Sequence, residues 1–122
     1  MNKLHLTEKE EELMRLFWER GPMFVRELID LLPEPKPHFN TVSTFVRLME
    51  QKGFLGHETL GNSYRYFPLV SRREYSREVL RGVVGRYFNN SLHGVISALV
   101  GEENLTDAQI DELVNMVKNK KS

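Results

Sequence analysis

The sequence contains no cysteine, which excludes disulfides, thiolate metal centres and a cysteine nucleophile in one step. It has no net charge, with 17 Lys+Arg balanced by 17 Asp+Glu, so no single-signed field covers the whole chain. No apolar run approaches the roughly 20 residues that a membrane-spanning helix requires. Residues 1–12 are polar and acidic rather than basic then apolar, unlike a signal or transit peptide; a cytoplasmic protein is expected. No glycine-rich phosphate loop follows a strand pattern, no serine sits in a nucleophile elbow, and His5, His38, His57 and His93 show no ligand spacing. Neither an enzyme nor a metal site is expected, and no cofactor is implied.

What is present is a globular composition, 40% hydrophobic and 28% charged over 122 residues. That length makes one ordinary domain, or one small domain with a helical appendage too thin to bury its own core. Charge is unevenly placed along it. Residues 1–35 carry five Lys+Arg against eight Asp+Glu, residues 36–86 nine against four, and residues 87–122 three against five. A basic centre between acidic ends suits a phosphate-binding footprint, and equally a solvated arginine-rich helix face.

Thr7 with Glu10 forms a capping box, and Leu13, Met14, Phe17 and Trp18 follow at helical spacing until Gly21-Pro22. Val25, Leu28, Ile29 and Leu32 mark a short second helix that Pro33 ends, and prolines at 35 and 37 delay the next. Val42, Phe45, Val46 and Met49 define one face of a third helix, from His38–Asn40 to about Lys52 before Gly53. Extended segments over residues 54–59 and 64–70 flank Gly61-Asn62, a two-residue hairpin turn in which glycine supplies positive φ.

Beyond Ser71 the pattern is helical again. Leu80, Val83, Val84, Tyr87 and Phe88 form one stripe, and Leu92, Val95, Ile96, Leu99 and Val100 a second. Thr106 with Gln109 caps a third, carrying Ile110, Leu113, Val114 and Val117 before the lysines at 118, 120 and 121. Three such stripes in so short a tail leave apolar surface wet in a monomer, so a second copy, or the N-terminal domain itself, is expected to cover it.

The expected fold is therefore mainly α with a small β-hairpin wing: a winged helix-turn-helix over residues 1–71 and a helical dimerisation region over residues 72–122. In that fold the third helix enters the major groove and the hairpin lies along the backbone. With its apolar residues inward, the third helix presents Asn40, Thr41, Ser43, Thr44 and Arg47. Thr41, Ser43, Thr44 and Arg47 are the expected groove contacts, the arginine fork suiting guanine; Asn40, Lys52 and Arg65 are the expected backbone contacts. Arg72 and Arg73 extend the phosphate track, although Glu74 and Glu78 nearby suit helical ion pairing. Tyr64 and Tyr66 share one face of the hairpin and suit packing better than base stacking. The expected partners are double-stranded operator DNA and a second copy of the chain. The rival reading is a winged-helix module that holds a protein partner and never touches DNA.

Most of the chain resembles the penicillinase and methicillin-resistance repressors together with the related copper-responsive repressors. The resemblance is carried by Leu6-Thr7 opening an acidic helix that ends in Phe17-Trp18-Glu19, by Asn40-Thr41-Val42-Ser43-Thr44, and by Lys52-Gly53. It continues through Gly61-Asn62-Ser63-Tyr64-Arg65-Tyr66, Pro68-Leu69-Val70-Ser71 and Asn104-Leu105-Thr106. It implies a dimeric repressor on a palindromic operator, released when a membrane sensor-protease triggers cleavage of the tail. Three features depart from the pattern. Leu48 stands where the family usually has arginine, and Ala98-Leu99 where cleaved members have asparagine-phenylalanine. The cysteine cluster of the copper-responsive branch is missing, which excludes copper sensing by that route.

Overall fold

The computed structural model describes residues 5–103 and 106–119. Asn104, Leu105, Lys120 and Lys121 lie outside these, as do the side chains of Leu113, Val114, Val117 and Lys118. The element order is α1 (Glu8–Arg20), β1 (Met23–Phe24), α2 (Val25–Asp30), α3 (Phe39–Gln51), β2 (Leu55–Leu60), β3 (Ser63–Pro68), α4 (Arg72–Tyr87), α5 (Leu92–Glu103) and α6 (Asp107–Asn119). The chain forms two compact units, Met1–Glu78 and Val79–Ser122.

α1 begins on the expected capping box: the Glu10 amide donates to Thr7 Oγ1 at 3.2 Å and the Thr7 amide to Glu10 Oε1 at 2.9 Å. It ends at Gly21, whose φ of 84° closes the helix with an N–H to the Phe17 carbonyl. Between that stop and α2, Met23 and Phe24 pair with Tyr66 and Arg65, so the wing is a three-stranded antiparallel sheet in the order β1-β3-β2. Two residues are too few to show a strand period, and the sequence reading had only the β2–β3 hairpin there. Lys36 Nζ donates to the carbonyls of Asp30 and Leu32, tying the proline-rich segment to the end of α2.

The core of the first unit is Leu13, Met14 and Phe17 of α1, Leu28 of α2, Val42, Val46 and Met49 of α3, and Phe54 and Leu55, all at most 2% exposed. Each such side chain contributes about 1.5–3 kcal/mol through burial, and together they fix the orientation of α3. The hairpin register is Leu60↔Ser63 through Leu55↔Pro68, with Gly61 at φ 63° in the two-residue turn.

α4 starts on a second capping box, Ser71 with Glu74. Its first turns belong to the first unit: Tyr75 is buried, edge-on to Phe54 and tilted against Trp18. Trp18 Nε1–H donates to the Val70 carbonyl at 2.8 Å.

In the second unit α4 ends at Asn89 and Asn90, both left-handed (φ 53° and 60°), and the Asn90 amide closes on the Val84 carbonyl at 2.9 Å. Ser91 caps α5 and the Thr106–Gln109 box caps α6. No described side chain of this unit is fully buried. Leu80, Tyr87, Leu92, Leu99 and Val100 are exposed, and Val83, Val84, Phe88, Val95 and Ile96 are half-buried.

Candidate nucleic-acid interface

α3 packs Val42, Val46 and Met49 inward, and its opposite side exposes Asn40, Thr41, Thr44, Arg47, Leu48 and Gln51. Ser43, expected on that open side, is turned toward the protein and is 9% exposed at the base of the groove described below. The reason is its angular position: Ser43 follows Val42 and precedes Val46 by three, so it falls at the edge of the inward arc. Phe45, expected inward, is half-buried.

The hydrogen-bonding capacity of this face is partly occupied. Thr44 Oγ1 donates its proton to the Asn40 carbonyl at 2.9 Å, leaving a lone pair and a methyl group for anything outside. Arg47 Nη2 lies 3.5 Å from Thr44 Oγ1, and no described carboxylate pairs with Arg47. Arg47 therefore presents an uncompensated guanidinium.

An open groove of about 610 Å³ runs between α3 and the wing, bordered by Arg26, Phe39, Ser43, Arg47, Asn62 and Tyr64. The Arg26 guanidinium sits 5.0 Å from the centroid of the half-exposed Phe39 ring, an arrangement that holds the cation at the start of α3 without a carboxylate. Sequence reasoning missed Arg26 and Phe39. They are thirteen positions apart in different helices, and no local spacing signals such a pair. Leu48, noted in the sequence only as standing where the resembled family has arginine, is 42% exposed on the open side of α3.

The other expected contacts start from ion pairs. Arg65 donates through Nε at 2.9 Å and Nη2 at 2.5 Å to Oε2 of Glu58, its cross-strand partner. Lys52 Nζ donates to Glu10 Oε1 at 2.6 Å and to the His5 carbonyl at 3.2 Å. Burial pushes the Glu10 carboxyl up, but hydrogen bonds from Lys52 and Thr7 outweigh it and hold Glu10 below its ordinary value. Arg72 lies over the Trp18 ring and 3.9 Å from Glu19, and Arg73 is exposed.

The wing is anchored to α3 by His57, whose Nδ1 lies 2.6 Å from Glu50 Oε2 and whose ring stacks on Tyr64 at 4.1 Å. Tyr64 is half-exposed, while Tyr66 is buried; burial, reinforced by the Glu50 carboxylate and opposed by Arg47, pushes its phenol up. Glu50, which alone would repel phosphate, is thus partnered from the wing. Among the described residues no group of His, Asp or Glu could hold a metal ion, and no helix is long and apolar enough to cross a membrane.

Residues 6–119 match the family model described as penicillinase repressor. The chain is 21% identical over 118 residues to the penicillinase repressor of Bacillus licheniformis, covering 96% of this chain and 92% of that one. It is 19% identical over 116 residues to the methicillin resistance regulatory protein MecI of Staphylococcus epidermidis, covering 94% of each. Among solved structures, an ArsR-like transcriptional regulator from Rhodococcus sp. RHA1 matches with a TM-score of 0.49 at 15% identity, covering 75% of this chain and 82% of that one.

Proposed function

The chain belongs to the penicillinase repressor family and is a transcriptional regulator rather than an enzyme, and from that premise we propose that it represses transcription as a cytoplasmic homodimer on a palindromic double-stranded operator. α3 enters the major groove, the wing follows the backbone, and residues 72–122 supply the dimer contacts. The observation that carries the reading is the open side of α3, where Arg47 stands uncompensated beside Asn40, Thr41 and Thr44. Such a face matches the donor and acceptor pattern of base edges. Ser43 reaches DNA only from the base of the groove. Lys52 and Arg65 must exchange Glu10 and Glu58 for phosphate, so each contributes less than Arg47. The dimer is supported by the second unit, whose described side chains include no fully buried one and several exposed leucines and valines.

Selection from random duplexes with the full chain tests this reading. The expected product is an inverted repeat whose half-sites are spaced by about one helical turn or a multiple of it. Affinity should fall steeply with added salt, and Arg47→Ala should weaken binding by about 10-fold to 100-fold and relax one base position. Sedimentation should give a dimer, and Leu99→Asp, on the exposed side of α5, should shift it to monomer. Indifference to DNA at low salt would instead point to a protein-binding module.

A further inference from the structure

We propose that Leu48, together with the methyl group of Thr44, reads the C5-methyl of a thymine in each operator half-site. The inference rests on α3 lying in the major groove, as proposed above. It starts from an apolar side chain in a polar setting: Leu48 is 42% exposed on the side of α3 that also carries Asn40, Thr41, Thr44, Arg47 and Gln51. The inward residues of the same helix, Val42, Val46 and Met49, are at most 2% exposed, so Leu48 is not part of that core.

Leu48 follows Thr44 by four positions and Thr41 by seven, so the three form one row along the helix. Within that row, Thr44 has its only hydroxyl proton committed to the Asn40 carbonyl at 2.9 Å. The Thr44 oxygen also takes the Arg47 Nη2 donor at 3.5 Å, so what the row offers to an apolar partner beside Leu48 is the Thr44 methyl. Two adjacent apolar groups have one complementary feature in the major groove, the thymine methyl. Guanine presents N7 and O6 there, adenine N7 and an amino group, and cytosine an amino group. Each of those would lose water against Leu48 and gain no hydrogen bond. Thymine alone gains from the contact, so Leu48 discriminates by penalising the other three bases.

The experiment isolates the methyl. The duplex preferred by the full chain is synthesised with each thymine in turn replaced by deoxyuridine, which removes that methyl and leaves base pairing intact. Wild-type protein should bind about fourfold more weakly per half-site at one such position, the effect of one buried carbon. Leu48→Ala should bind thymine and uracil duplexes there equally, with an unchanged helical spectrum because the side chain is exposed. Repeated selection with Leu48→Arg should replace that thymine with guanine. Wild-type binding that ignores uracil at every position, or a uracil penalty that survives Leu48→Ala, overturns the assignment of Leu48 while leaving the repressor reading intact. Failure of the wild type to prefer any duplex overturns both.

Discussion

The Tyr75 hydroxyl donates to a Glu11 carboxylate oxygen at 2.7 Å, joining residues 64 positions apart. With Trp18 and Phe54 packed around the ring, this bond fixes the first turns of α4 on α1. Burial, then the Glu11 hydrogen bond and charge, push the Tyr75 phenol up to about 12 from 10.0. The folded state therefore holds this proton at pH values where the unfolded chain releases it. The resulting stability is complete below about pH 10 and is lost as pH rises from there through about 12. Two pKa units correspond to about 2–3 kcal/mol. Tyr75→Phe should lower stability by about 1–2 kcal/mol at neutral pH, and thermal melts from pH 9 to 12 should show a shallower alkaline decline than the wild type.

Lys52 and Glu10 give the opposite pH signature. Glu10 is 2% exposed and held below its ordinary value of 4.5, so its contribution is present above that value and lost as pH falls through the lower, folded one. Lys52→Met would strand the buried carboxylate. After discounting for the partial exposure of Lys52, a loss of about 2 kcal/mol is expected at neutral pH. Denaturant titration at pH 7 and pH 3.5 should show the gap between variant and wild type closing at the lower pH.

Arg65 is opposed by Glu58 across the β2–β3 ladder, both side chains being about 40% exposed. Glu58→Gln should free the guanidinium for phosphate. Tighter binding to every duplex is expected, with the salt dependence steeper by about one ion. An unchanged slope, measured by anisotropy at several salt concentrations, would mean that the wing tip does not approach DNA.

His57 partners Glu50 at the junction of wing and α3. His57→Ala leaves the Glu50 carboxylate without this hydrogen-bond partner and should weaken DNA binding roughly threefold at low salt, the scale of one modest hydrogen bond. Adding Glu50→Gln should restore affinity. If the double variant binds no better than His57→Ala, the histidine acts by packing on Tyr64 rather than by engaging the carboxylate.

The elements that sequence made legible are those with a local code. Thr7 and Glu10 announce α1, Gly61-Asn62 the wing turn, and Thr106 and Gln109 the start of α6, because each signal lies within a few residues of the structure it causes. What was not legible depends on contacts between distant segments. β1 exists because β3 offers a free edge to Met23 and Phe24. Arg26 meets Phe39 through the turn between α2 and α3. Lys52 meets Glu10 and Arg65 meets Glu58 only once the helices and strands are assembled, and these pairings alter what two formally free cations can offer. Ser43, expected outward, falls one step of the helical wheel inside the buried arc, a boundary that a hydroxyl side chain does not mark.

Trp18, the sole tryptophan of the chain, is lodged between Val70, Arg72 and Tyr75 where the wing passes into α4. Its emission is thus a built-in optical reporter confined to the first unit. Far-ultraviolet dichroism, by contrast, sums helix over both units, α5 and α6 included. Coincident transitions from the two probes would mark all-or-none cooperativity along the chain, and separated ones would date the melting of each half independently.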